Sequence, residues 1–176
     1  ITLTVNDGTV SATDTFVLTV GGDNDVPTIS NVSNQSTNED TATSALAVTL
    51  ADVETAASSL TLSASSSNTS LVPNNNILLG GSGANRTVKL TPAANTYGSS
   101  TITLTVSDDT ASATDSFVLT VNSVDDAPVV VNAIPDLSVS EDASDTTVAL
   151  ANVFSDVDGD SIAKSVQSNS NTGLVS

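Results

Sequence analysis

The chain has 176 residues, 20 of them acidic and 3 basic, for a formal net charge of −17. It holds no His, Cys, Met or Trp, which excludes thiol nucleophiles, imidazole bases, thiolate metal centres and Ser-His-Asp catalysis. The charge repels nucleic acid, and no apolar run reaches the ~18 residues of a membrane-spanning helix.

Acidity with few aromatics often signals disorder. Here 38% of residues are hydrophobic, 28 are Ser and 26 are Thr, and Val, Ile and Leu alternate with polar residues in short runs, as half-buried strands require. In chain order, Ile1–Val5 and Ser11–Val20 open the sequence. A strand A is predicted near Thr28–Val32. Leu46, Val48 and Leu50 mark strand B, and Leu60, Leu62 and Ala64 mark C. Ile77 and Leu79 mark a short D, and Val88 and Leu90 mark E. Ile102, Leu104 and Val106 mark F; Phe117, Leu119 and Val121 mark G. Turn residues separate them at Pro73-Asn74-Asn75, Gly80-Gly81-Ser82-Gly83, Pro92-Ala93-Ala94-Asn95 and Asp108-Asp109. No segment sustains a period of 3.6. About seven short strands in ~100 residues is the pattern of an immunoglobulin-like β-sandwich. Tyr97, ahead of strand F, is predicted to form a tyrosine corner by bonding the backbone; the alternative is a ring that stacks on sugar.

The chain repeats itself. Residues 1–27 match residues 102–128 at 18 of 27 positions, with an offset of 101. Asp25-Val26-Pro27 recurs as Asp126-Ala127-Pro128, Glu39-Asp40 as Glu141-Asp142, and Asp52-Val53-Glu54 as Asp156-Val157-Asp158. This divides the chain into the F and G strands and linker of one repeat (1–26), a complete repeat (27–127) and the N-terminal half of a third (128–176), a window on a longer tandem array. No signal peptide is read in it. The end pieces lack partner strands, so neighbouring repeats or other copies are expected to complete them.

The Asp23-Asn24-Asp25-Val26-Pro27 linker, the Pro92–Asn95 turn, the Thr101–Val106 strand, Asp108, the Phe117–Val121 strand and Asp125-Asp126-Ala127-Pro128 follow one another in an order that resembles the cadherin-like, immunoglobulin-fold tandem repeats of large bacterial surface and secreted proteins. The resemblance implies an all-β chain of seven-strand sandwiches used as extracellular spacers, adhesin stalks and surface fibres, often stiffened by calcium. The full acidic linker and Glu-containing strand motif of animal cadherins are missing, so homophilic adhesion is not implied.

Strand parity places the candidate ligands. In a seven-strand sandwich the B–C and F–G loops share the end near the N-terminus, and the A–B and E–F loops the other. The first junction then gathers Asp23, Asn24 and Asp25 from the linker, Asp52 and Glu54 from B–C, and Asp108 from F–G. The second gathers Asp125, Asp126, Glu39 and Asp40 with Asp156, Asp158 and Asp160 of the following repeat. Calcium takes 6–8 oxygen ligands in flexible geometry, and carboxylates gathered this way repel unless a cation neutralises them. The competing reading is that these residues only form turns. Asp156–Asp160 looks like the start of an EF-hand loop, but position twelve is Gln167 and no flanking helix is predicted.

Catalysis by paired carboxylates is not expected in turn-rich joints with almost no aromatic platform. Lys89 and Lys164 are the conceivable sources of an isopeptide cross-link, but Val88 and Leu90 claim the inner face and send Lys89 outward. The expected function is that of a structural segment of an extracellular tandem-repeat protein, a stalk, adhesin shaft or surface filament with calcium at its joints. The alternative is a carbohydrate- or receptor-binding module of a secreted or cell-surface protein, with Ser65–Ser82 as its most variable stretch.

Overall fold

The computed structural model describes residues 1–170; the last six residues of the expected third piece lie outside them. Twelve strands are described: β1 (Thr2–Asn6), β2 (Ser11–Thr15), β3 (Thr28–Ile29), β4 (Gln35–Asn38), β5 (Leu46–Ala51), β6 (Thr61–Ser66), β7 (Ile77–Ser82), β8 (Asn85–Leu90), β9 (Gly98–Ser107), β10 (Ser112–Asn122), β11 (Val129–Val130) and β12 (Phe154–Ser155). Eight of them, β3 to β10, form two four-stranded sheets, ordered β3-β5-β8-β7 and β4-β10-β9-β6.

The inner faces follow the alternation in the sequence. Val48, Leu50, Val88 and Leu90 of one sheet meet Ile102, Leu104, Val106, Phe117, Leu119 and Val121 of the other, each at most 3% exposed. Burying such side chains contributes roughly 1.5–3 kcal/mol each, enough to fold a sandwich without a disulfide. Phe117 is the largest of them.

The expected strand A is divided between the sheets. β3 pairs antiparallel with β5, and Ser30 N donates to Thr49 O at 2.9 Å. The chain then crosses the sandwich edge and returns as β4, parallel to β10. Asp115 makes the crossing possible. Its carboxylate accepts from Asn31 Nδ2 at 3.0 Å and from Val32 N at 2.9 Å, while Asn34 Oδ1 accepts from Val118 N at 2.8 Å. These bonds satisfy backbone that has left one ladder and not yet joined the next.

Two turns differ from expectation. Gly80 and Gly81, read as loop, pair with Thr87 and Arg86 inside the β7–β8 ladder. The reversal itself is the two-residue Gly83-Ala84 turn, with Gly83 at φ 57°, as tight hairpins favour. Glycine is needed because β8 lies close: a Cβ on Gly81, at φ 82°, would stand 2.3 Å from Asn85 O. The second correction concerns Tyr97, which is 62% exposed and makes no hydrogen bond among the described residues, so no tyrosine corner forms. Thr96 Oγ1, donating to Ala93 O at 2.7 Å, and Asp40 Oδ1, accepting from Asn95 N at 3.1 Å, close that corner instead.

β1 and β2 pair in the register of β9 and β10: Leu3 faces Asp14 as Leu104 faces Asp115. Their apolar face is uncovered, with Leu3 58% and Val5 69% exposed, whereas Leu104 and Val106 are fully buried. Lys89 is exposed on β8, as expected.

Candidate functional site

The hairpin turns and linkers carry carboxylates that accept backbone N–H groups. In the β9–β10 turn Asp108 Oδ1 accepts from Thr110 N at 2.7 Å and Ala111 N at 2.6 Å. In the β1–β2 turn Asp7 accepts from Thr9 N and Val10 N at 2.9 and 2.8 Å, and from Thr9 Oγ1 at 2.8 Å. These donors favour the ionised form. The N–H groups of Val10 and Thr9 and the Thr9 hydroxyl hold the Asp7 carboxyl down at about 2. Asp108 is likewise held below the ordinary range, by Ala111 N–H first, then by the Asn24 amide and Thr110 N–H.

The first junction gathers most of its expected residues. Asn24 Nδ2 donates to Asp108 Oδ2 at 2.9 Å and to Asp25 O at 2.9 Å. Asp25 N donates to Glu54 Oε2 at 3.0 Å. Glu54 N and Thr55 N donate to Asp52 Oδ1 at 3.0 and 2.6 Å. The linker, the B–C turn and the F–G turn therefore meet, as strand parity required. Asp23 is joined to none of them by a hydrogen bond.

The second junction repeats this arrangement. Asp126 N donates to Asp158 Oδ2 at 2.7 Å, and Asp158 N to Asp156 Oδ1 at 3.0 Å, the counterparts of Asp25, Glu54 and Asp52. Asp160 N donates to the same Asp156 oxygen at 3.4 Å. From the preceding sandwich, Glu39 is 3% exposed and its Oε1 accepts from Val124 N at 2.6 Å. Here the electrostatics are reversed. Burial and then the carboxylates of Asp158, Asp40, Glu39 and Asp156 push the Asp126 carboxyl up. Asp160 is raised by a carboxyl–carboxyl hydrogen bond with Asp125, by that group's charge, and by Asp156.

The donor set is all oxygen, the chemistry calcium prefers. One buried carboxylate oxygen at each junction, Asp52 Oδ2 and Asp126 Oδ2, has no hydrogen-bond partner. A buried anionic oxygen without a donor is costly, and a bound cation removes that cost. The oxygens a cation would meet there are those of Asp52 and Glu54 with the linker at the first joint, and of Asp126, Asp158, Asp156, Glu39 and Asp40 at the second. Among the described residues, no group of three or more carboxylates is placed so that it could hold a metal ion.

The alternation of the sequence hid three working residues. Asp115 holds the strand crossing, and its signal is a carboxylate at an inward position of an otherwise apolar strand face. Arg86 Nε donates to Gly83 O at 2.8 Å and its Nη2 to Leu60 O at 3.2 Å, binding turns rather than acids. Ser100, 2% exposed, gathers Ser66 Oγ at 2.8 Å and Asn68 N at 3.1 Å.

Two facing sheets, with the first strand shared between them, define an immunoglobulin-like sandwich with acidic joints. The chain belongs to the bacterial Ig domain family, whose sequence profile matches residues 24–122. No curated protein matches it. Among solved structures it is similar to the titin domains Z1Z2 in complex with telethonin, at 14% identity and TM-score 0.42, covering 60% of this chain and 52% of that one. Domains 4 and 5 of the S-layer protein SbsC give 19% identity and TM-score 0.41 over 69% and 57% of the two chains. An endo-fucoidan hydrolase of glycoside hydrolase family 107 gives 20% identity and TM-score 0.40 over 70% of this chain and 18% of its own. The chain thus spans about half of the titin and S-layer chains it resembles, and none of the three lends it a function.

Proposed function

We propose that this bacterial Ig chain is a segment of an extracellular tandem array, a stalk or surface filament, whose joints calcium stiffens. In this reading residues 1–26, 27–127 and 128–176 belong to three successive repeats, and neighbouring repeats cover the exposed faces of the outer two. The role is mechanical rather than catalytic. The observation that carries it is the joint itself, built twice: a linker Asp donates its N–H to the second acid of an Asp-Val-acid turn, and a buried carboxylate oxygen nearby is left without a donor. Asp25, Asp52 and Glu54 at the first joint and Asp126, Asp156 and Asp158 at the second would hold the ion, whose positive charge would offset their mutual repulsion and so favour the docked arrangement. Small-angle scattering in calcium and in chelator tests this. The expected result is a longer, stiffer particle with calcium; the same flexible profile in both sinks the calcium claim.

One observation favours carbohydrate binding as a second reading. The Tyr97 ring, free of the corner bond, is open to stack on a sugar face. Glycan-array binding lost in Tyr97→Ala supports that role, and an array with no signal for the parent chain removes it.

A further inference from the structure

We infer that the two joints are mechanically unequal: the joint before the central sandwich turns on Gly21-Gly22, and the joint after it is clamped by Asn122. The inference rests on the repeat equivalence but not on calcium.

The offset of 101 places Gly21 and Gly22 where the second linker has Asn122 and Ser123. Asn122 is tied in three ways to the sandwich it leaves. Its Nδ2 donates to Ser36 Oγ at 3.1 Å and to Asn38 Oδ1 at 3.3 Å, and its carbonyl accepts from Glu39 N at 2.9 Å. Two residues on, Val124 N donates to the buried Glu39. At its far end the linker is held by Asp126 N on Asp158. The second linker is therefore fixed to the sandwich behind it and to the turn ahead of it.

The first linker shares the forward ties, through Asn24 and Asp25. Glycine has no side-chain amide, so the two Nδ2 bonds of Asn122 have no counterpart at Gly21 whatever strand stands opposite, although its carbonyl can still accept as that of Asn122 does. Backbone shape does not call for glycine there either. Neither residue has a positive φ; a Cβ on Gly21 would meet nothing within 4 Å, and one on Gly22 only Glu54 Oε1 at 3.9 Å. What the pair changes is the loss of side-chain ties next to backbone of maximal freedom, shortly before a segment latched at Asn24 and Asp25. An array with such joints bends at chosen places and stays straight at others.

The chain has no Cys, so a Lys89→Cys/Ser155→Cys pair places spin labels on the central sandwich and beyond the second joint. Distance distributions are measured in chelator for this background, for Asn122→Ala, and for Asn122→Gly/Ser123→Gly. The expected order is narrow, intermediate and broad, the glycine variant about twofold wider than the background. A glycine variant that superimposes on the background overturns the inference. A Thr61→Cys/Lys89→Cys pair inside the sandwich serves as control. If it broadens too, Asn122 holds the sandwich together rather than the joint, and the hinge assignment falls. Since calcium is absent throughout, failure here leaves the calcium reading standing, and failure of the scattering experiment leaves this one standing.

Discussion

At the residue scale, one chemical group, the aspartate carboxyl, serves two opposite purposes. Asp108 is surrounded by donors and Asp126 by other carboxylates, so their pKa values move apart. Asp108, depressed, contributes turn stability that is present above the ordinary aspartate pKa and lost as pH falls through its lowered value. Asp126 and Asp160, raised, contribute docking stability that is present below the ordinary value and lost as pH rises through their elevated ones. Without a cation, mild acid should therefore tighten the second joint before stronger acid loosens the β9–β10 turn. Carbon-detected NMR titration checks this: the midpoint of Asp108 is expected below 3.8, the ordinary value, and those of Asp126 and Asp160 above it. Adding calcium should pull the latter two down, and midpoints indifferent to calcium count against binding there. Asp115 belongs to the same scale. Asp115→Ala leaves Val32 N and Asn31 without an acceptor and should cost about 1.5–3 kcal/mol in urea unfolding, while Asp115→Asn retains part of it.

At the element scale, β1–β2 and β9–β10 are nearly the same sequence in the same register with opposite burial. The difference lies in the facing sheet. Where Val48, Leu50, Val88 and Leu90 stand opposite, Leu104 is sealed; where no such sheet stands, Leu3 is open. Truncating the shared core makes the contribution measurable. Phe117→Ala should destabilise the sandwich by about 3–5 kcal/mol, whereas its counterpart Phe16→Ala, at 47% exposure, should change stability by less than about 1 kcal/mol in thermal unfolding. Comparable losses would mean that the β1–β2 hairpin contributes to the central core. Gly81→Ala tests the β7–β8 ladder: its φ of 82° and the close Asn85 carbonyl should make it destabilising by more than about 1 kcal/mol. Equal stability would show that β7 can shift away.

At the scale of the whole molecule, acidic charge is concentrated at the two ends of the central sandwich. A chain of −17 pays for its joints in self-repulsion that salt screens within about 8–10 Å. Raising ionic strength in chelator should thus relieve part of the second-joint repulsion, read as a modest narrowing of its distance distribution, while calcium at millimolar concentration should act at far lower ionic strength. Equal effects of sodium and calcium at matched ionic strength would reduce the joint to general screening.

Much of this was legible in the residues themselves. Period-two alternation located strands B to G because an inward face must be apolar along its whole length. The 101-residue echo foretold that β1–β2 pairs in the register of β9–β10, since near-identical segments form the same hairpin. Strand parity brought Asp25, Glu54 and Asp108 to one end, because loop placement depends only on strand order. Tertiary structure decided the rest. Alternation could not show that strand A divides, because the crossing is held by Asn31, Asn34 and Asp115, which are distant in sequence. Nor could it tell that Thr96 and Asp40 close the corner expected of Tyr97, or that Gly80 and Gly81 lie inside a ladder. Composition and spacing determine which side chains face inward; which donor finds which acceptor across the sandwich is a matter of a few tenths of an ångström, and only the packed chain sets those distances.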